Sequence, residues 1–137
     1  MWCAMQDPSE LACEIIADCF SPAAIEGWEN YMDKNEDYFS VLPSEYTHLH
    51  HEIYQEFISM IEERIAKKCA AAGINMRKFF EVCKHCEKTP AINVFNTVIV
   101  LTTDFEAFVD VMHDHRKRNF VFHTISQYRN MFTSSHK

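Results

Sequence analysis

At 137 residues, with 47% apolar and 13% aromatic side chains, the chain is sized for one domain and is too apolar to be disordered. Its two glycines, with no Asn-Gly, Asp-Gly or Gly-Gly pair, exclude a P-loop and a dinucleotide fingerprint and argue against a hairpin-built all-β domain. Thirteen Lys and Arg against twenty Asp and Glu leave a net charge of −7, the wrong sign for a nucleic-acid backbone.

Helix is therefore the expected class, and local signals divide the chain into about six helices in one all-α bundle over residues 1–137. Asp7-Pro8-Ser9-Glu10 has the form of a capping box with Pro at the first helical position, opening a helix that carries Leu11, Ile15, Ile16 and Phe20. Ser21-Pro22 starts a second, through Ile25, Trp28 and Met32, which fades in the polar stretch Lys34 to Asp37. Pro43 precedes a third over about 44–72, where Leu49, Ile53, Phe57, Ile61, Ile65 and Cys69 recur every four residues. Gly73 is a natural stop, and Asn75 caps a fourth with Phe79, Phe80 and Val82. Thr89-Pro90 opens a fifth. Residues 92–103 are rich in β-branched side chains, but a lone strand has no ladder partner, so an all-round apolar, central helix is the better reading. Thr103-Asp104 caps a sixth with Phe105, Phe108, Val109 and Met112 inward, ending near Arg116-Lys117-Arg118, whose charge suits a helix C-terminus. A last segment, Phe120 to Phe132, has weaker helical character.

No basic residue precedes Lys34 and no apolar run approaches the ~18 residues of a membrane span, so a soluble, cytoplasmic protein is expected, with no membrane insertion. Its six cysteines then read as reduced thiols. Cys83 and Cys86 have C-x-x-C spacing, and His113 and His115 could complete a zinc set; that small zinc-binding module is the alternative reading. Against it, the pair falls late on a helix, where i and i+3 merely share a face. His48, His50 and His51 read as solvated. No nucleophile motif, cofactor loop or paired acid supports an enzyme using His113 or His115 as base, and no cofactor is expected. The large apolar side chains Tyr54, Phe57, Ile58, Ile61, Phe79, Phe80, Phe95, Val98, Phe105 and Phe108 are mostly core, but wide apolar faces can also leave a groove for a partner's amphipathic helix.

Four blocks carry a family resemblance: Tyr31-Met32-Asp33-Lys34; Glu56-Phe57-Ile58-Ser59-Met60-Ile61-Glu62; Ile74-Asn75-Met76; and Leu101-Thr102-Thr103-Asp104-Phe105-Glu106-Ala107-Phe108. In order and spacing they resemble the BART family, binders of Arf-like GTPases, from about Trp28 to Arg118, the T-D-F-x-x-F block being the most specific. The resemblance implies a noncatalytic effector or adaptor, expected to be monomeric. It would bind the GTP form of an Arf-like GTPase and take that protein's N-terminal amphipathic helix into a hydrophobic groove. Carried onto this chain, the groove comprises Tyr54, Phe57, Ile58 and Ile61, with Phe105 and Phe108 opposite and Phe80, Phe95 and Val98 beyond, each of which also reads as ordinary core. Glu56, Glu62 and Asp104 would form its rim, Asp104 reading equally as a helix-start residue. Family analogy extends the expected location to the cilium or flagellum.

Overall fold

The computed structural model describes residues 8–40, 45–85 and 90–135. Among them are seven α-helices and no strand: α1 (Pro8–Cys19), α2 (Pro22–Asn35), α3 (His48–Ala72), α4 (Met76–His85), α5 (Pro90–Thr103), α6 (Phe105–His113) and α7 (His115–Ser135), with a 3-10 turn at Glu36–Phe39. The expected caps at Asp7 and Thr89 lie outside the described residues.

The breaks between helices follow local chemistry. Ser21 Oγ accepts from Ala24 N (3.2 Å), and Asn75 Oδ1 from Lys78 N (2.8 Å). Gly73 closes α3 at φ 75°, a left-handed conformation that a Cβ disfavours. Helix α3 starts at His48, later than the sequence suggests, because Thr47 and His50 form a reciprocal capping box. Thr47 N donates to His50 Nδ1 (2.9 Å), and His50 N to Thr47 Oγ1 (3.4 Å). His50 is thus buried, not solvated, and its Nε2 meets the Tyr38 carbonyl at 2.8 Å.

The sixth and seventh helices correct the expected order. Asp114 is extended (φ −112°, ψ 100°) and its Oδ1 accepts from Arg116 N (3.0 Å) and Lys117 N (3.4 Å), so the basic cluster opens α7 instead of ending α6. Cations in a first turn oppose the helix dipole, and neighbouring acids offset them: Lys117 Nζ lies 2.8 Å from Asp110 Oδ2.

Helix α5 is central, packed by α1, α3, α6 and α7, which explains why it is apolar on most sides; α1 also crosses α3 and α4. One continuous core results. Phe108 is fully buried, with Phe39, Tyr54 and Phe57 at ring-centroid distances of 5.9, 5.0 and 5.1 Å. A second aromatic group joins Phe20, Trp28, Phe79 and Phe95. Cys13, Cys19, Cys69 and Cys83 are core side chains, and burial, with the Cys69 thiol adding to it, pushes the Cys19 thiol up to about 12. No single helix among the described residues is long and apolar enough to cross a membrane; Ile92–Thr103 and Phe105–His113 meet the apolar criterion together but are bent by 100°.

Candidate functional site

The residues of the expected groove divide by depth. Phe57, Ile61, Phe95, Val98 and Phe108 lie in the interior and offer a partner no surface in this structure. Tyr54 is almost covered, whereas Ile58, Phe80 and Phe105 are half-buried. Phe80 belongs elsewhere in the molecule, beside Phe79 and stacked at 6.4 Å on Phe95.

What remains together is a flank of α3 meeting the first turn of α6. Phe105 stacks on His51 (4.4 Å) and meets Tyr46 and Tyr54 edge-on at 5.0 and 5.2 Å. Asp104 places this ring: its Oδ1 accepts from Glu106 N (3.0 Å) and Ala107 N (3.4 Å), capping α6 immediately after the sharp turn from α5. Burial, with the Asp104 charge adding to it, raises the Tyr54 phenol above its ordinary value. At 100° per residue, His51, Ile58 and Glu62 share one stripe of α3, while Glu56 lies on the opposite flank. There the Tyr31 hydroxyl donates to Glu56 Oε2 (3.2 Å) and to the Ile53 carbonyl (3.0 Å), tying α2 to α3, and burial followed by the Glu56 charge raises the Tyr31 phenol. Glu62 therefore lies on the same stripe of α3 about three turns beyond His51, Asp104 caps the helix that carries Phe105, and Glu56 lies on the opposite flank.

Sequence reasoning missed an open groove on another side. Thr97, Val100 and Leu101 of α5, Ala107 and Val111 of α6, and Phe120 and Val121 of α7 line a cavity of about 540 Å³. A smaller one of about 140 Å³ continues it through Val94, Thr124 and Ile125, sharing Thr97, Phe120 and Val121. The signal was present as i, i+3, i+4 spacing in Thr97, Val100 and Leu101 and as the pairs Phe120-Val121 and Thr124-Ile125 one turn apart.

The sequence profile of the family described as the ARF-like 2 binding protein BART matches residues 13–119, most of the chain and further toward the N-terminus than the four blocks suggest. The chain belongs to the BART family. Searches for similar curated proteins and for similar solved structures return no match. The match runs from Cys13 within α1 through α6 to the first turn of α7, so Phe105 and the α5 and α6 walls of the α5–α7 groove lie within the matched BART domain, while Phe120 and Val121 follow directly after it.

Other candidate chemistry resolves differently in this BART domain. Cys83 is buried on α4, His113 Nδ1 contacts the Phe39 carbonyl at 2.9 Å, and Cys86 lies outside the described residues. Among the described residues Cys83, His113 and His115 do not gather; the three metal-competent side chains that do are Asp33, Glu36 and His115. A guanidinium already sits among these. Arg118 Nη2 donates to Asp33 Oδ1 (2.9 Å) and to Glu36 Oε2 and lies against His115 Nδ1, while Nη1 reaches the Val111 and Met112 carbonyls (3.3 and 3.4 Å). The Arg118 hydrogen bond holds the Glu36 carboxyl below its ordinary value. The cluster thus neutralises two carboxylates and fastens α7 to the end of α2. Glu36 and His115 are committed to that fastening and His113 to the Phe39 carbonyl.

Proposed function

We propose that this BART domain is a noncatalytic effector that binds the GTP form of an Arf-like GTPase through the α3–α6 flank. Family membership carries the reading: the family is named for binding ARF-like 2, and the T-D-F-x-x-F block places Phe105 at the centre of an aromatic edge. Ile58, the rim of Tyr54 and the exposed part of Phe105 receive apolar anchors of the GTPase's N-terminal helix, each contributing ~1.5–3 kcal/mol when fully buried. Glu62 meets basic groups beside the GTPase switches. Phe57, Ile61, Phe95, Val98 and Phe108 support this face from within, and Asp104 fixes the bend that presents it. GTP dependence follows because the GTPase must both release its helix and hold its switches in the GTP arrangement. A cytoplasmic or ciliary setting belongs to the same proposal.

Calorimetric titration with a panel of Arf-like GTPases, each loaded with GDP or a nonhydrolysable GTP analogue, tests it. Binding of one GTP form is expected, lost on deleting the GTPase's N-terminal helix and in Ile58→Asp. Silence across a validated panel, or unchanged affinity in folded Ile58→Asp, overturns the reading or its location.

A further inference from the structure

We propose that the α5–α7 groove is a second docking site, separate from the GTPase face, for a short amphipathic helix whose polar flank is acidic. Four large hydrophobic side chains are exposed among the described residues, and two of them, Val100 (48%) and Phe120 (71%), border this groove. Exposed apolar side chains concentrated along one concavity mark an interaction site more than scattered ones do. From Arg116 to Ile125 the groove follows about 14 Å of α7, enough for two to three turns of a docked helix with anchors at i, i+3, i+4 and i+7.

Charge selects the occupant. The chain is acidic overall at −7, yet the polar groups at the groove mouth are Arg116, Lys117 and Asp110. Lys117 is matched by Asp110 at 2.8 Å, and Arg116 is exposed with no ion-pair partner among the described residues. The groove therefore presents an exposed guanidinium with no ion-pair partner among the described residues beside an apolar wall of Val100, Leu101, Val111 and Val121. An apolar helix with a carboxylate flank satisfies both, whereas a basic flank is repelled. With the GTPase on the α3–α6 flank, the domain then joins a GTP-loaded GTPase to a second protein.

The test is fluorescence anisotropy with the full chain and two labelled peptides of about fourteen residues, with leucines at i, i+3, i+4 and i+7, differing only in Glu or Lys at the flanking positions. The Glu peptide is expected to bind about tenfold more tightly than the Lys peptide, with added salt narrowing the difference. Phe120→Asp and Val100→Asp, both at the surface, abolish binding while circular dichroism stays native, and Arg116→Glu reverses the preference. GTPase binding persists in Phe120→Asp. Failure of both peptides to bind, equal binding of the two, or binding that survives Phe120→Asp overturns the proposal. So does concentration-dependent self-association removed by Phe120→Asp, which identifies a second copy as the occupant. Loss of GTPase affinity in Phe120→Asp also overturns it, because the groove is then part of the GTPase site.

Discussion

Arg118 is 1% exposed, and the carboxylates it joins, Asp33 and Glu36, are 53% and 40% exposed, so replacing it separates two costs that usually arrive together. Arg118→Met keeps much of the side-chain volume and removes the charge. A charge-assisted hydrogen bond contributes ~1.5–3 kcal/mol when well buried, but carboxylates this open to water are screened and rehydrate once released, so each bond is discounted to about 0.5–1 kcal/mol. Losing the donor to the Val111 and Met112 carbonyls adds about 1 kcal/mol, for a total of about 2–3 kcal/mol. Arg118→Ala leaves a cavity as well and is expected to cost roughly twice that. Urea unfolding followed by circular dichroism measures both. The pH dependence gives an independent check. The Glu36 carboxyl is held below its ordinary 4.5 by Arg118, so its contribution is complete above that pH and is lost as pH falls through the folded value. The gap between wild type and Arg118→Met should therefore narrow on acidification below about 4.5. A Met variant as stable as wild type at pH 7, or a gap unchanged at pH 3, would refute the reasoning.

Phe108→Ala is expected to destabilise by about 3–5 kcal/mol in urea melts, since Phe108 is fully buried among Phe39, Tyr54 and Phe57. Phe57→Asp and Phe108→Asp consequently report on folding, not on partner contact. Half-buried Phe105→Ala should lower thermal stability only slightly, by about 1–2 kcal/mol, yet weaken GTPase binding at least about tenfold in calorimetry. Gly73→Ala meets no atom within 4 Å, so only backbone strain remains, about 1–2 kcal/mol by urea unfolding; a neutral result would contradict the left-handed geometry. The Cys19 thiol is raised from 9.0 to about 12 in the folded state, so its contribution is complete below pH 9 and is lost as pH rises toward 12. Alkaline melts of wild type and Cys19→Ala should therefore converge over that range, and reaction of Cys19 with an aromatic disulfide at pH 8 should follow the unfolding rate.

The helix breaks were legible because the groups that make them are neighbours in sequence: Ser21 with Ala24, Asn75 with Lys78, Asp104 with Ala107, and Gly73 by its own conformation. The β-branched run is helical, as its Thr-Pro start and all-round apolarity imply. Dipole preference alone points the basic cluster to the wrong helix end, because the adjacent Asp114 caps α7 and Arg118 is answered from afar by Asp33, 85 positions away. His50 reads as solvated from sequence because its burial depends on the reciprocal bonds with Thr47 and on the Tyr38 carbonyl, twelve positions away, at the ring's other nitrogen. For the site, sequence gave side-chain type but not depth. Phe108 and Phe120 are alike in composition, and only packing makes one interior and the other a surface ridge.

The bend of 100° at Asp104 also bears on the life of the chain before it folds. Residues 92–113, emerging from the ribosome as one stretch, have the length and the average apolarity of a span, although three acidic residues interrupt them. A carboxylate is expensive in hydrocarbon, ~2.5–3.5 kcal/mol at a helix centre, so Asp104, which caps α6 in the folded protein, together with Glu106 and Asp110 makes this stretch costly to place in a bilayer. Asp104→Leu would act on both levels: the native helix would lose its cap, and the newborn segment would lose one of its three carboxylates, leaving Glu106 and Asp110 to set it apart from a span.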